Sequence, residues 1–376
     1  MTPAPPAPAT SPPPIHLPLD TRLRRFLTWA VVILSAGYTF LDYWNYSRMW
    51  HADPREWADL LAGRGLAPAQ YRIGVMRLAA FLAQHLHTHL RHMFALIDCV
   101  SLLIGLACIL ALLSRTALFR AHGASSSAHP VGNEDHLRQW TLSLLCLGLF
   151  TVYLSWTFWF QKPETLPTLA YFALSALLAA SHARGATRWL FAALLLLLAV
   201  LQATVRADAA VAFHLGMLMA AVLPSGSRSG ASMPLGRMTQ AVTSGLAIVA
   251  AGAVQYGIAH WLYPGAQRNT DTFQLLSNLR SSMGYLAITL SLAAWWVTLW
   301  LAARRWRTLH GLAGAGNWAL GLLLGSLAHF AMFYAFGMAE EVRIFLPFAM
   351  AVLPVTTVLF YRAFIADQGL GIRGRD

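Results

Sequence analysis

The chain has 376 residues, of which 57% are hydrophobic and only 11% are charged, and its mean hydropathy is +0.53. A soluble globular protein carries about 25% charged residues, so this composition excludes that class. The formal net charge of +12 does not indicate a nucleic-acid partner, because the basic residues are divided among the apolar segments instead of forming one clustered surface.

Ten apolar segments approach the length of about 20 residues that a membrane-spanning helix needs. They lie near residues 26–43, 93–114, 139–159, 166–183, 188–204, 209–224, 240–263, 284–303, 317–337 and 343–364. Unbroken leucine runs such as 195–198 favour helices over barrel strands, in which apolar and polar residues alternate. The sequence therefore predicts an all-α, polytopic transmembrane helix bundle of about ten spans.

The basic residues predict how this bundle is oriented. With the N-terminus inside, 16 of the 27 Lys and Arg residues but only five of the 15 Asp and Glu residues fall on the inner side. Inner loops of membrane proteins are enriched in Lys and Arg. We therefore predict a multi-pass membrane protein whose two ends are both cytosolic.

In chain order, residues 1–20 are predicted to be a disordered cytosolic tail, because they are rich in proline and alanine. Residues 21–366 form a single transmembrane domain, and residues 367–376 form a second cytosolic tail. Within the domain, residues 44–92 are a long outer connection with structure of its own. A first helix is predicted to start there at Asp53, with Pro54 in its first turn.

A second helix is predicted over residues 73–91 of the same connection. Its apolar centre, residues 78–83, is too short to cross a bilayer, and basic side chains flank it. We therefore expect an amphipathic helix that lies in the outer membrane interface. If it crossed the membrane, every later loop would change sides and the charge asymmetry would be lost.

Acids and arginines gather on the predicted outer side, next to the spans. Asp42 lies at the outer end of the first span, where it is either a boundary residue within an aromatic belt or a general base or metal ligand. Asp53 is either a helix cap or a second catalytic acid. The candidate substrate-binding residues are Arg72, Arg206, Asp208, Arg268, Glu341 and Arg343. Arg206 and Asp208 also fit a simple turn, and Arg343 also fits a local ion pair with Glu340 or Glu341.

Two short segments resemble those of a known group. Residues 68–72 (PAQYR) resemble the PfqYR segment of bacterial multi-span proteins linked to GT-C-type glycosyltransferases. Residues 341–347 (EVRIFLP) resemble the group's ElRvflPl segment, with Val for Leu. The layout from the long first outer loop to the last span is also similar. One difference is that GT-C enzymes often carry paired acids after the first span, where this chain has Asp42 alone.

The resemblance implies a bacterial inner-membrane protein with a polyprenyl-phosphate-linked sugar donor, chemistry on the periplasmic side and a catalytic acid just after the first span. Asp42 would then deprotonate the acceptor or hold a divalent metal ion, the one cofactor considered. Arg343, with Arg72 or Arg268, would neutralise the charge on the leaving phosphate. The expected partner is a membrane lipid, and no dedicated metal-ligand set is predicted.

Two other functions stay open at this point. A transporter or flippase should have broken helices and should also have ionisable residues within its spans. Asp98 and His329 are the candidates for such ionisable residues. A non-catalytic envelope assembly protein predicts that the outer polar residues do not converge. Whether Asp42, Arg72 and Arg343 line one outer cavity therefore separates these hypotheses.

Overall fold

The computed structural model describes residues 20–67, 69–116, 133–158, 162–181, 186–223, 236–267, 273–305, 318–339 and 341–366. In these ranges all regular elements are helical. The α-helices are α1 Thr21–Ala52, α2 Pro54–Leu61, α3 Ile73–His85, α4 Leu90–Ser114, α5 Asn133–Phe158, α6 Thr165–Ala180, α7 Ala186–Val222, α8 Arg237–Gly257, α9 Leu275–Asn278, α10 Ser282–Ser291, α11 Ala293–Arg304, α12 Trp318–Phe336 and α13 Leu346–Tyr361. Short turns at Ala69–Tyr71, Ile258–Leu262, Val342–Ile344 and Arg362–Ala366 complete the set.

Seven of these helices are long and apolar enough to cross a membrane, or eight if the bent pair α10–α11 counts as one span. Helix α13 lies at the centre, with 78% of its most apolar window buried, whereas only 22% is buried in α1. Large apolar side chains such as Trp29 and Phe40 therefore point away from the protein. The all-α class is confirmed for the described residues, and the outward-facing apolar side chains are consistent with a multi-pass bundle surrounded by lipid.

Helix α7 is broken in its middle, where the sequence predicts two spans. Arg206 adopts φ −156° and ψ 97°, an extended conformation inside an otherwise helical segment. The predicted spans 188–204 and 209–224 correspond to the two legs on either side of this break.

The two legs of α7 run in opposite directions. Near its beginning, Arg188 lies beside Gly236 at the start of α8, since a Cβ built on that glycine would be 3.5 Å from Arg188 Nη1. Near its end, the carbonyl of Met217 accepts a hydrogen bond from Gln240 Nε2 at 3.0 Å, again at the start of α8. Gln255, at the other end of α8, lines one cavity with the residues of the break. The first leg of α7 therefore runs from the start of α8 to its other end, and the second leg runs back to the start of α8.

Helix ends at the far side of the bundle from Arg206 also contact one another. Arg115 donates to Ser181 Oγ at 2.6 Å, Trp140 to Asp20 at 3.3 Å, and Arg305 to the carbonyl of Arg362 at 3.5 Å. These contacts join the ends of α4 and α6, the starts of α1 and α5, and the ends of α11 and α13. Six of the described helices therefore have an end on this side of the bundle.

The predicted span 284–303 is not one straight helix. Helices α10 and α11 meet at Leu292 with a bend of 69°. The amide N–H of Trp295, which a continuous helix would pair with Ser291, donates instead to Tyr153 Oη of α5 at 3.1 Å. The inserted hydroxyl explains a break at which the sequence has neither proline nor glycine.

The first outer connection is more helical at its start than predicted and shorter in its second helix. Helix α1 continues to Ala52, beyond the predicted boundary at residue 43. The helix predicted over 73–91 ends at His85, because His87 has a positive φ of 49° that an α-helix does not allow. Helix α4 then begins at Leu90.

The predicted helix start at Asp53 is confirmed. Asp53 Oδ1 accepts hydrogen bonds from the amides of Arg55 at 3.1 Å and Glu56 at 3.2 Å, which caps α2. Trp57 of α2 then packs against Tyr46 and contributes to a second, smaller apolar core. This core fixes the connection on the end of the bundle.

The last predicted span, 343–364, starts later than expected. Residues Val342–Ile344 form a 3₁₀ turn, and α13 starts at Leu346 with Pro347 in its first turn. Proline suits this position because the first amides of a helix have no partner within it. Arg343 is consequently placed on a turn at the end of the bundle and not inside the helix.

Candidate functional site

An ion pair occupies the break in α7. Arg206 is 5% exposed and contacts Asp208 through two atoms, with Nε 3.2 Å from Oδ1 and Nη2 against Oδ2. Its third nitrogen, Nη1, donates to the carbonyl of Ile344 at 3.2 Å. The guanidinium therefore ties the break in α7 to the turn before α13, and it holds the Asp208 carboxylate in one orientation.

His329 of α12 lies on the other side of Asp208. Its Nε2 is 3.5 Å from Asp208 Oδ2, and the ring is completely buried. Phe172, Phe345 and Phe348 surround the imidazole with ring centroids 5.6–6.0 Å away. At 3.5 Å the contact is electrostatic rather than a full hydrogen bond. The carboxylate, which is 37% exposed, is the accessible member of this triad.

A second ion pair links the first outer connection to the bundle. Arg72 Nη1 is 2.6 Å from Glu164 Oε1, and the side chains are 28% and 15% exposed. Arg72 immediately precedes α3, and Glu164 immediately precedes α6. The pair therefore joins residues 92 positions apart at two helix starts.

The electrostatics of Glu164 connect the two ion pairs. Burial alone would raise its pKa, but the guanidinium of Arg72, with help from Arg206 and Lys162, holds the pKa below the usual value. Glu164 is consequently ionised at neutral pH, and the bridge to Arg72 is lost only when the pH falls through that lowered pKa. Arg206 in turn interacts with both Glu164 and Glu341.

A third ion pair lies on the turn before α13. Arg343 Nη2 is 2.7 Å from Glu341 Oε1, with 13% and 32% of the side chains exposed. This is the local pairing that the sequence offered as one interpretation of Arg343. Since Ile344 follows directly and binds Arg206, this pair lies next to the break in α7.

Arg72, Arg206 and Asp208 line one open cavity of about 330 Å³. Its wall is completed by side chains from α8, α12 and the turn before α13. Arg72 also lines a second, smaller cavity of about 70 Å³, together with Trp57, Lys162 and Glu164. Arg72 therefore faces two cavities at the same end of the bundle, whereas Glu164 lines only the smaller one.

The remaining predicted site residues lie elsewhere. Of the three residues expected to share one cavity, only Arg72 lines either of the two, because Asp42 and Arg343 line neither. Asp42 is completely buried in α1. The Asp53 carboxylate is engaged as a helix cap. Arg268 and Glu340 fall outside the described residues, although the carbonyl of neighbouring Gln267 accepts from the amide of Ala67 at 2.8 Å.

Like Glu164, His329 belongs to the cluster but was not among the site residues predicted from the sequence. It lies 121 positions from Asp208, within an apolar segment, and no motif surrounds it. Its position seven residues before the end of α12, two helical turns from the outer loop, was the available signal.

No group of three or more His, Cys, Asp or Glu side chains in the described ranges is arranged to hold a metal ion. Asp208 is held by Arg206, and Glu164 by Arg72. The cluster is thus an assembly of carboxylate–guanidinium pairs around a cavity, which suits an anionic or hydroxyl-bearing ligand.

No protein-family model matches the chain, and comparisons with curated proteins and with solved structures likewise returned no match.

Proposed function

We propose that this protein is a GT-C-like glycosyltransferase of the bacterial inner membrane. It transfers a sugar from a polyprenyl-phosphate donor to an acceptor hydroxyl on the periplasmic side. The observation that carries the proposal is that Arg72 lines one open cavity together with Arg206 and Asp208, which follow it in the sequence by more than 130 positions. A phosphate-headed lipid needs guanidinium donors at the end of a membrane bundle, and acceptor activation needs a nearby carboxylate.

The bundle crosses the membrane ten times in this proposal. The crossings are α1, α4, α5, α6, the two legs of α7, α8, the bent pair α10–α11, α12 and α13. Two observations support this number: the antiparallel legs of α7, and the division of interhelical contacts between two common ends. The arginine-rich end faces the cytosol, and α3 lies along the outer interface.

Asp208 replaces Asp42 as the acceptor base in this mechanism. The acceptor hydroxyl gives its proton to Asp208 as its oxygen bonds to the anomeric carbon, and the bond from that carbon to the phosphate oxygen breaks. Arg206 keeps Asp208 ionised and oriented. Arg72 uses only Nη1 for Glu164, so its other N–H groups can stabilise the departing phosphate.

The test of donor recognition compares two arginine variants. Arg72→Lys keeps the positive charge but loses the planar fork, so affinity for a short-chain polyprenyl phosphate should fall about tenfold. The matched control is Arg64→Gln, which removes an exposed arginine from an ion pair with Asp59 in the same connection. Binding is measured in nanodiscs, with the corresponding polyprenol as the phosphate-free ligand. Equal binding of the alcohol and the phosphate would contradict the proposal.

The test of catalysis follows a radiolabelled sugar. Wild-type nanodiscs are given a panel of polyprenyl-phosphate sugars and envelope extract from cells that lack the protein, and label leaving the lipid fraction is counted. Asp208→Asn should lower that transfer by about 100-fold or more, whereas Arg64→Gln should not. The variants are assayed well below their unfolding temperatures. If the wild type bound the donor tightly but transferred no sugar, the proposed enzymatic activity would be contradicted and the protein would be a lipid-binding protein.

The topology makes its own prediction. In a background without Cys99, Cys108 and Cys146, a single cysteine at position 270 should react with an impermeant maleimide added to spheroplasts. Cysteines at positions 125 and 370 should react only after the membrane is permeabilised, because the proposal places them in the cytosol. Labelling of position 125 in intact spheroplasts would overturn the orientation.

Transport is the second candidate. The breaks at Arg206 and Leu292 are observations that favour it, because transporter sites are built on discontinuous helices. Movement of a fluorescent lipid or sugar phosphate across sealed vesicles, in the absence of any acceptor, distinguishes transport from transfer.

A further inference from the structure

Helix α1 turns a polar stripe towards the protein. Beyond its first two turns, the residues it buries are Ser35, Tyr38, Asp42 and Tyr46, at spacings of three or four. Such spacing places side chains on one face of a helix. The apolar side chains of α1 point outward instead. The stripe faces α4, with which α1 packs.

The side chains that meet this stripe are polar as well. Tyr46 Oη donates to Asp98 Oδ2 of α4 at 2.6 Å. Tyr38 Oη lies 2.7 Å from Thr157 Oγ1 of α5. Asp98 is 1% exposed, so a hydrogen-bonded acid of α4 lies opposite the stripe.

Asp42 differs from Tyr38 and Tyr46, because no described donor reaches either oxygen of its buried carboxyl. The one charged group that acts on it within the described residues is the carboxyl of Asp98. The other titratable groups of the stripe are Tyr38 and Tyr46, and α5 presents the uncharged Thr157. An isolated carboxylate in such surroundings is far less favourable than the neutral acid. Two adjacent buried carboxyls also resist being ionised together.

We propose that Asp42 and Asp98 form a proton-binding site inside the bundle, in which Asp42 holds the proton and Asp98 is the acceptor of Tyr46. The step is reversible: a carboxylate takes one proton from water and becomes a neutral acid, and no other reactant is needed. This site does not depend on the proposed glycosyl transfer. It assigns Asp42 to proton binding between α1 and α4.

Dicyclohexylcarbodiimide tests the site, because this apolar reagent modifies protonated carboxyls in apolar surroundings. The protein in nanodiscs should be modified on the peptide that contains Asp42 at pH 7, and modification should fall as the pH rises. Asp42→Asn should abolish it. The exposed carboxylate of Asp59, paired with Arg64 at 2.6 Å, is the internal control and should stay unmodified.

Infrared absorption of the protonated carboxyl carbonyl gives an answer that does not depend on reagent access. The wild type should show a band that Asp42→Asn removes and Asp59→Asn retains. Absence of that band from the wild type would overturn the proposal. Protection from the carbodiimide by sodium chloride, but not by choline chloride, would also overturn it and would assign the site to a metal cation.

Discussion

Replacing Arg206 by glutamine is expected to lower the free energy of unfolding by about 3 kcal/mol. The variant leaves Asp208 without its cation and the carbonyl of Ile344 without its donor. Removing one member of a buried ion pair lowers the free energy of unfolding by about 3–5 kcal/mol. Asp208 is 37% exposed, so water can solvate the carboxylate that is left, and we expect the lower end of that range. The loss is measured by following maleimide labelling of buried Cys108 and Cys146 as the protein unfolds.

The double variant Arg206→Gln, Asp208→Asn shows whether the pair itself is responsible. It removes both charges, so it should be more stable than Arg206→Gln alone. The control Arg64→Gln breaks a pair whose members are 68% and 43% exposed, and should change stability by about 1 kcal/mol or less. If the double variant were as unstable as the sum of the two single variants, the two side chains would not be coupled.

Replacing Gly216 by valine is expected to have a comparable effect, because it separates two helices. A Cβ on Gly216 would overlap the backbone of α12, at Gly325 N and Gly321 O. Small residues allow helices in membranes to approach this closely. Backbone atoms cannot rotate aside as a side chain can, so we expect a loss of about 3 kcal/mol, the upper end for overpacking.

Gly245→Ala is the matched control for that variant. Gly245 is in the interior of α8, and a Cβ built there meets nothing within 4 Å. Alanine has the higher helix propensity, so this variant should be as stable as the wild type or slightly more stable. Both variants are compared in the same cysteine-labelling assay. A stable Gly216→Val protein would mean that α7 and α12 do not cross at this glycine.

Much of the helical layout was predictable, because lipid imposes a simple requirement on composition. The two segments 188–204 and 209–224 were separated in the sequence by one short polar turn, and the structure breaks α7 there. The break at Leu292 was not predictable. It depends on the hydroxyl of Tyr153, which lies 142 positions away, and residues 291–295 at the break include neither proline nor glycine.

For the polar residues, too, the sequence predicted some positions and not others. Charge asymmetry indicated the end of the bundle at which Arg72 and Arg206 lie, and the structure brings both to one cavity. The partners of these arginines were harder to predict from the sequence. Asp208 is a near neighbour of Arg206, but Glu164 and His329 reach the cluster only through helix packing. Asp42 was expected at the surface, yet α1 continues to Ala52, about three turns further.

The position of Arg72 in the wall between two cavities has a thermodynamic consequence. Glu164 uses only Nη1 of this guanidinium, so a ligand in either cavity would bind the remaining N–H groups and compete for them with a ligand in the other cavity. Two molecules that never touch would therefore weaken each other's binding by the same factor, since such coupling is reciprocal. A single arginine with two open sides is enough to make the occupancy of one cavity depend on the occupancy of the other.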